Sequence, residues 1–458
     1  MINISIKDVI KAIQGTDSAS IKSSYINGIC TDTRNIKHGD LFFALIGENS
    51  DGHNFITKES MKDCACAIVS KDIDTEIPYV KVDNTLFALG RFAKYYKSLF
   101  NVKTIGITGS VGKTSTKELL SLMLEELGPS LKNKGNFNNE IGVPLTIFEL
   151  DKNHKTLVCE MGMRGSGQID YLANIVKPDI GIITNIGMAH IELLGDQDNI
   201  ADAKSELLTH LSKRTSLSVI NRDCKYFDFM KSKSLCQILS FGEHESSDIR
   251  LVKTIYENEK IYFTIDTPFG KIEDLMISIP AKHYVINALS AIGTAKFLGV
   301  SDDFIRYTLS DFSNADGRFT LKKSCLGINV IDDTYNANPI SMTEAIKTFT
   351  KIDAKRHIVI LGDMLELGDY AKISHLEIGK EVVKSGVHQI FTVGTLAKEI
   401  GNGAISEGFN KDNIESFPDS ETMKLNLSKL GFKSGDLILI KGSRSMRMEI
   451  ISNALLEL

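Results

Sequence analysis

The chain has 458 residues, of which 42% are hydrophobic and 24% charged, with a formal net charge of −5. That length suits about three domains of ~150 residues, and the composition is that of an ordinary globular protein with apolar material for several cores. Lysine and arginine are interspersed with acidic residues, so no basic block is available to neutralise a nucleic-acid backbone, and a nucleic-acid partner is not expected.

At the N-terminus Ser5-x-x-Asp8 reads as a helix cap, followed by a short apolar stripe at Val9, Ile10 and Ile13. It lacks the continuous apolar core of a signal peptide, and no apolar run in the chain approaches the roughly 18 residues of a membrane span. The seven cysteines, at 30, 64, 66, 159, 224, 236 and 325, form no Cys-x-x-Cys pair and read as reduced thiols. A soluble cytoplasmic protein is expected. Residues 1–84 predict a small mixed α/β domain with short strands, of which 39–45 is the clearest, and polar turns at Thr31-Asp32-Thr33-Arg34 and Asp51-Gly-His53-Asn-Phe55.

From 85 to 100 the apolar residues Leu86, Leu89, Phe92, Ala93, Tyr96 and Leu99 recur at helical spacing. That helix leads into the stretch around which the chain is organised. An apolar strand from Lys103 runs into Thr108-Gly109-Ser110-Val111-Gly112-Lys113-Thr114-Ser115 and then into an amphipathic helix. Gly109 and Gly112 allow the backbone to close on phosphate oxygens, and the N–H groups of the loop and first helical turn face the anion. Lys113 is placed for the β and γ phosphates and Thr114 for Mg2+. The first glycine of the longer P-loop pattern would fall at Ile107, so this is the shorter Gly-x-x-Gly-Lys-Thr form.

Beyond it, strands at 156–161, 179–184 and 217–220 alternate with helices at 168–176 and 199–211, as a parallel sheet requires. Four short strands between 237 and 279 predict antiparallel pairing, and 283–298 a helix. Past a turn at 313–318 the alternation resumes, with strands at 328–333, 357–361, 389–393 and 436–440 and helices at 341–352, 373–384 and 445–455. The expected fold is therefore α/β in three domains: 1–84, a central P-loop parallel-sheet ATPase domain over 85–312, and a doubly wound Rossmann-like domain over 313–458.

Ligands of open α/β sheets lie outside the carboxyl ends of the strands. Glu160, at the end of one central strand, is placed to give a hard Mg2+ ion an oxygen ligand. His190 belongs to the same rim, but imidazole is not a favoured Mg2+ ligand, so a packed or hydrogen-bonding histidine stands beside the metal reading. Lys204 falls four residues from both Ile200 and Leu208 on an apolar helix face. Desolvated there, it would lose its proton, and the neutral amine could add CO2 to become a carbamate. On the residues alone, snorkelling toward Asp202, Glu206 or solvent is the plainer reading. The loop containing Asn136, Asn138 and Asn139 offers amides for sugar and phosphate oxygens, and is equally ordinary loop composition. In the last domain, Asp332 to Pro339, Gly362 to Gly368 and Lys441 to Arg444 form three polar rims on one edge.

These motifs together resemble the Mur ligases of peptidoglycan synthesis. The similarity covers nearly the whole chain and rests on Thr108 to Thr114, Asn136-Phe-Asn-Asn-Glu-Ile-Gly142, Glu160-Met-Gly162, Thr184-Asn-Ile-Gly-Met-Ala-His190, Ala203-Lys204-Ser-Glu206, His283 with Asn287, Gly317-Arg318, Asp332-Asp-Thr-Tyr-Asn-Ala-Asn-Pro339, Gly362-Asp-Met-Leu-Glu-Leu-Gly368 and Lys441-Gly-Ser-Arg444. It is strongest to the member that adds D-alanyl-D-alanine to UDP-N-acetylmuramoyl-tripeptide. The Asp-Asn-Pro-Arg motif of the diaminopimelate-adding sister is absent, and a folylpolyglutamate synthase would lack residues 1–84 in this form.

The resemblance implies ATP-dependent amide ligation through an acyl phosphate, with Lys113, Glu160, His190 and Lys204 as catalytic residues. It implies that Thr114, Glu160, His190 and a carbamylated Lys204 serve the metal, and that Thr108 to Ser115, Asn287, Arg318 and Asp332 bind ATP. Asp32, Thr33, Arg34, Leu45, Gly47, Asp51 and His53 would hold the UDP end; Thr33 stands where serine is expected, keeping the hydroxyl. Asn136, Asn138, Asn139, Tyr335, Asn336, Asn338, Lys441, Ser443 and Arg444 would complete the substrate site. A monomer is expected. The rival readings are another ligase of the same superfamily and a non-catalytic nucleotide-binding scaffold.

Overall fold

The computed structural model describes residues 3–17, 21, 25–74, 76–211, 214–257, 260–314 and 316–457. Its three main sheets have five, nine and six strands. In the first region Asp8 N–H donates to Ser5 Oγ at 3.1 Å, starting α1 (Ile6–Ile13) as the cap spacing predicts, and Ile6, Val9 and Ile13 turn inward. Strands β1 (Gly28–Cys30), β2 (Asp40–Phe43), β3 (Cys64–Val69) and β4 (Tyr79–Lys81) pair in parallel, with Thr16–Asp17 antiparallel at the edge. The strand expected over 39–45 is shorter, because Gly39 turns the chain at φ 81°. Past its other end, the Ala44 carbonyl accepts from Thr85 Oγ1 at 3.0 Å. That bond ties the region to α2 (Thr85–Ser98), which Asn84 caps.

The nine-stranded sheet contains β5 (Lys103–Thr108), β6 (Ser130–Lys132), β7 (Thr156–Glu160), β8 (Ile180–Ile183), β9 (Leu217–Asn221), β10 (Gln237–Gly242), β11 (Ile249–Glu257), β12 (Lys260–Thr267) and β13 (Gly270–Ile277). Their order is β13-β12-β11-β10-β9-β8-β5-β7-β6. Around them lie α3 (Lys113–Leu124), α4 (Gln168–Val176), α5 (Gln197–Thr209) and α6 (Lys282–Leu298). Antiparallel pairing begins later than expected, at β12. Strand β10 lies parallel to β9, because the intervening helix Phe227–Lys233 carries the chain back to the same end of the sheet. Strand β11 joins β10 by a short parallel register at Phe241–Gly242. The last strand starts at Gly270 rather than 275, since Thr267 Oγ1 donates to the Gly270 carbonyl at 2.7 Å and closes a tight hairpin.

The six-stranded sheet has the order β14-β15-β19-β16-β17-β18, from β14 (Thr320–Lys323), β15 (Asn329–Asp333), β16 (Arg356–Gly362), β17 (Gln389–Val393), β18 (Ile414–Phe417) and β19 (Asp436–Lys441). All pairs but the first are parallel. Alternate residues feed two cores: Ile358 and Ile360 pack with Phe391, Ile438 and Ile440 on one face, Val359 and Leu361 with Leu437 and Leu439 on the other. A strand buried on both faces is an unbroken apolar run. Helices α7 (Pro339–Phe349), α8 (Ala371–Lys384) and α9 (Glu449–Leu456) cover it. The final helix starts at Glu449 rather than Ser445, because Arg447 adopts φ 52° and interrupts it. In the turn at 313–318, Ala315 lies outside the described residues, as do Met1 and Ile2 at the N-terminus. No helix among the described residues is long and apolar enough to cross a membrane, and all seven cysteines are free.

Candidate active site

Strands β5, β7 and β8 end level. Ile107 pairs with Glu160 and Thr108 with Ile183, so the residues that follow leave one edge together. The loop after β5 lies where β7 is on one side and β8 on the other, the crevice in which open α/β sheets bind ligands.

Two neighbouring segments hold that loop. Val111 N–H donates to Asn185 Oδ1 and Asn185 Nδ2 to the Val111 carbonyl, each at 3.0 Å, so one amide side chain engages both polar groups of one peptide residue. Thr184 Oγ1 donates to the same carbonyl at 2.5 Å, and Gly187 N–H to Ser110 Oγ at 2.8 Å. Gly109 and Gly112 have φ of 149° and 83°; a Cβ on the first would run into Thr184 Oγ1, and one on the second into the Asn287 amide. Glycine is required at both on conformation and on space. Helix α3 then starts at Lys113 with its free N–H groups and positive dipole end toward the loop.

Lys113 Nζ donates to the Gly109 carbonyl at 2.7 Å. Burial lowers its pKa, Glu160 pulls it back up, and Arg318 lowers it further. Thr114 Oγ1 donates to Glu160 Oε2 at 2.8 Å and accepts from Arg318 Nη2 at 2.9 Å. Asn138 Nδ2 donates to the other carboxylate oxygen, Glu160 Oε1, at 2.9 Å. The Glu160 backbone is clasped as well: its N–H donates to Asn133 Oδ1 and its carbonyl accepts from Asn133 Nδ2, both at 2.9 Å. Beneath lies Lys117, fully buried, whose Nζ donates to the Asn133 carbonyl at 2.7 Å and lies 3.0 Å from Glu118 and 3.9 Å from Glu160 Oε2.

The residue reading gave Lys117 and Asn133 no role. Lys117 sits four residues after Lys113, on the same face of α3, which is a usable signal. Asn133 has no counterpart signal, because its partner is 27 positions away.

Lys204 faces inward on α5 and is 2% exposed. Burial and then the Lys113 charge lower its pKa well below that of an ordinary lysine. His190, at φ 65°, places Nδ1 2.5 Å from Glu366 Oε2 in the last domain. Among the described residues no three His, Cys, Asp or Glu side chains converge as a metal cluster. Magnesium does not need one: it keeps several waters and takes one or two carboxylates plus substrate phosphates. Thr114 Oγ1 and Glu160 Oε2, hard oxygens beside a phosphate loop, fit that demand.

The last domain reaches this rim through Arg318. Its guanidinium lies 4.0 Å from the Tyr335 ring centroid, and that of Arg444 lies 5.9 Å from the same ring. Asp332 is buried and committed to Lys322 Nζ at 2.9 Å and Thr334 Oγ1 at 2.7 Å. Lys441 Nζ pairs with Asp333 at 2.6 Å and donates to the Asn336 carbonyl at 3.0 Å. Ser443 Oγ accepts from Leu365 N–H at 2.9 Å. Two further amides have framework tasks. Asn338 caps α7 through the Ser341 N–H at 2.9 Å, and Asn139 Oδ1 accepts from Gly142 N–H at 2.9 Å at the head of the short helix Gly142–Ile147. Asn136 is exposed. Where the domains touch, a Cβ on Gly187 would meet Ile340 Cδ1 at 2.6 Å and Ser110 Cβ at 3.2 Å.

The first domain's polar turns follow strands of the five-stranded sheet. Asp32 is held bidentate by Arg34, which brings its carboxyl down to about 2. Ser70 N–H donates to His53 Nε2 at 2.9 Å, so the ring proton is on Nδ1 and goes to Asp51 Oδ1 at 2.5 Å. Both ring nitrogens of His53 are thereby engaged within the domain. Lys71 Nζ also reaches Asp51, at 2.6 Å, and is the main reason its carboxyl lies below the usual carboxylate range. The intervening loop closes through Gly52 N–H to the Leu45 carbonyl and Gly47 N–H to the Ser50 carbonyl, both at 2.8 Å. Thr33 lies in the short helical turn Thr33–Asn35 that Asp32 caps.

Residues 107–295 match the Mur ligase middle domain, and residues 317–444 the Mur ligase, glutamate ligase domain. The UDP-N-acetylmuramoyl-tripeptide--D-alanyl-D-alanine ligase of Bacillus subtilis is 34% identical over 464 residues, covering 100% of this chain and 99% of that relative. A crystal structure of MurF from Acinetobacter baumannii superposes with a TM-score of 0.91 at 31% identity, covering 99% of both chains. The MurF ligase of Thermotoga maritima in complex with ADP superposes with a TM-score of 0.82 at 26% identity, covering 94% of this chain and 97% of that one.

Proposed function

This chain belongs to the Mur ligase family, and from that premise we propose that it joins D-alanyl-D-alanine to the terminal carboxylate of UDP-N-acetylmuramoyl-tripeptide at the expense of ATP, as a monomer in the cytoplasm. The observation that carries the reading is the constellation of Lys113, Thr114, Glu160 and Arg318 around the head of α3, where a strand, a glycine loop and a second domain converge.

A carboxylate has no good leaving group, so amide formation in water needs its oxygen transferred to phosphate first. The tripeptide carboxylate attacks the γ phosphate of ATP, ADP leaves, and an acyl phosphate forms. The uncharged amine of the dipeptide then attacks the acyl carbon and loses a proton, and phosphate departs from the tetrahedral intermediate. Helix α3 and the loop N–H groups hold the phosphates, and Lys113 swings from the Gly109 carbonyl to offset the charge that spreads over the γ phosphate. Arg318, already on Thr114, brings a second positive charge from the last domain, whose approach also excludes water.

Thr114 and Glu160, with His190 of the same strand-end rim, would hold Mg2+, which when bound would supply charge neutralisation on the phosphates. Lys204 takes up CO2 on its neutral amine, releasing a proton, and the resulting carbamate faces the Lys113 cation. The first domain holds the UDP end through the Asp32–Arg34 and Leu45–His53 turns, and the Tyr335–Arg444 edge of the last domain receives the dipeptide. The deciding experiment is phosphate release from ATP with a panel of UDP-muramoyl peptides, with and without D-alanyl-D-alanine. Release should require both the tripeptide and the dipeptide; release that ignores the dipeptide sinks the assignment.

A further inference from the structure

His190 and Glu366 meet across the boundary between the central and last domains, and both have left-handed backbone, at φ 65° and 61°. Residues with a Cβ seldom adopt that conformation, and when they do the surroundings enforce it, most often at working sites. The enforcement here is visible. Glu192 N–H lies 3.4 Å from the Glu366 carbonyl, and Gly368, itself at φ 50°, packs so closely on Glu192 that a Cβ there would meet it at 3.3 Å. The carboxylate is aimed as well as the backbone: Oε2 is 2.5 Å from His190 Nδ1, and Oε1 is 3.5 Å from Arg164 Nη2.

We propose that Glu366 is a positioning residue for His190, taking its Nδ1–H so that Nε2 keeps its lone pair and is turned toward the phosphate site only when the last domain is docked. The chemistry is one of donor count. An ionised carboxylate only accepts, and a neutral imidazole carries one N–H and one lone pair, so the proton is on Nδ1 and the lone pair on Nε2. A carboxylate behind a ligating imidazole fixes its tautomer and orientation and raises its basicity, and losing such a partner costs about 10- to 100-fold in metal affinity. What is unusual is the source of the carboxylate, a different domain from the one that carries the histidine. Metal binding and domain docking therefore favour each other, since what strengthens one strengthens the other.

The inference rests on the reading that His190 serves the metal of the ATP site, and the test separates the two. The full-length protein, 15N-labelled in histidine, reports the His190 tautomer by long-range 1H–15N correlation. Wild type should show Nδ1–H, and E366A should move the population toward Nε2–H. Mn2+ titration with ADP present, read by electron spin resonance, should then show affinity falling about tenfold or more in E366A, less in E366Q, whose amide oxygen still accepts the proton, and staying within about threefold in R164A. Should E366A fail to fold, E366M, which keeps the bulk and has no acceptor oxygen, carries the comparison. An Nε2–H tautomer in wild type, or Mn2+ affinity within about twofold of wild type in E366A, overturns the inference while a loss in H190A keeps the metal reading alive. An unchanged affinity in H190A overturns both.

Discussion

Arg318 Nη2 donates to Thr114 Oγ1 at 2.9 Å while its guanidinium lies 4.0 Å from the Tyr335 ring centroid, so one side chain bridges the phosphate loop and the first rim of the last domain. Only a planar cation with several N–H groups does both. Arg318→Lys retains the charge but loses the flat face and the fork. Its Kd for ADP should rise about tenfold, the equivalent of ~1.4 kcal/mol, by calorimetric titration. An unchanged Kd would mean that charge alone suffices at this position.

Lys113→Ala leaves the loop clasped by Thr184 and Asn185, so the protein should fold and still bind ADP weakly. Turnover should fall by about two to three orders of magnitude, the usual cost of removing one group that stabilises transition-state charge, ~3–4 kcal/mol. Steady-state phosphate release measures it, and near-normal ligation would refute the assigned role.

Lys204 is buried beside Lys113 with its pKa depressed by both burial and that neighbour. Intact-mass or NMR measurement in bicarbonate should find one CO2 on this residue. Lys204→Ala should lose most activity and regain part of it with short carboxylic acids, which supply the missing negative charge. Neither rescue nor added mass is the outcome expected of a plain structural lysine.

His283 gives a pH dependence with a definite sign. Burial brings its pKa down to about 4, with Asp333 pulling it up and Lys441 pushing it down, and its Nδ1 has no hydrogen-bond partner. The unfolded chain binds a proton near pH 6.5, before the folded one does. The stabilisation is therefore complete above about pH 6.5 and is lost as pH falls toward 4. Between pH 7 and 5 the wild-type Tm should drop more than that of His283→Gln; equal drops would remove His283 as the cause.

Elements whose pattern comes from local periodicity were readable without a structure. Helix α4, over Gln168–Val176, and strand β17, over Gln389–Val393, fall where apolar spacing puts them. Strand β18 did not, because it is an edge strand whose only buried residue is Phe417. Polar residues divide differently. The Gly-x-x-Gly-Lys-Thr loop is local, so its geometry followed from spacing. Asn138 and Asn139 read equally as amides for a ligand or as ordinary loop composition, and Asn338 as a substrate residue through the resemblance; in the fold they engage Glu160, Gly142 and Ser341. Amide side chains look alike in a sequence whether they cap a helix or hold a sugar; only the partner distinguishes them. Glu366 stands in the polar Gly362–Gly368 segment, but its partner lies 176 positions away, beyond any local rule.

The contact between Gly187 and Ile340 gives a handle on domain motion. Gly187 has no left-handed φ to protect, so alanine is tolerated by its own backbone, yet the added methyl points straight at Ile340 Cδ1 and Ser110. Gly187→Ala would act as a doorstop, one carbon atom wide, wedged between the central and last domains. On the proposed reading, in which the central domain supplies the phosphate loop, nucleotide binding should largely survive it, whereas ligation, proposed to need both domains together, should not.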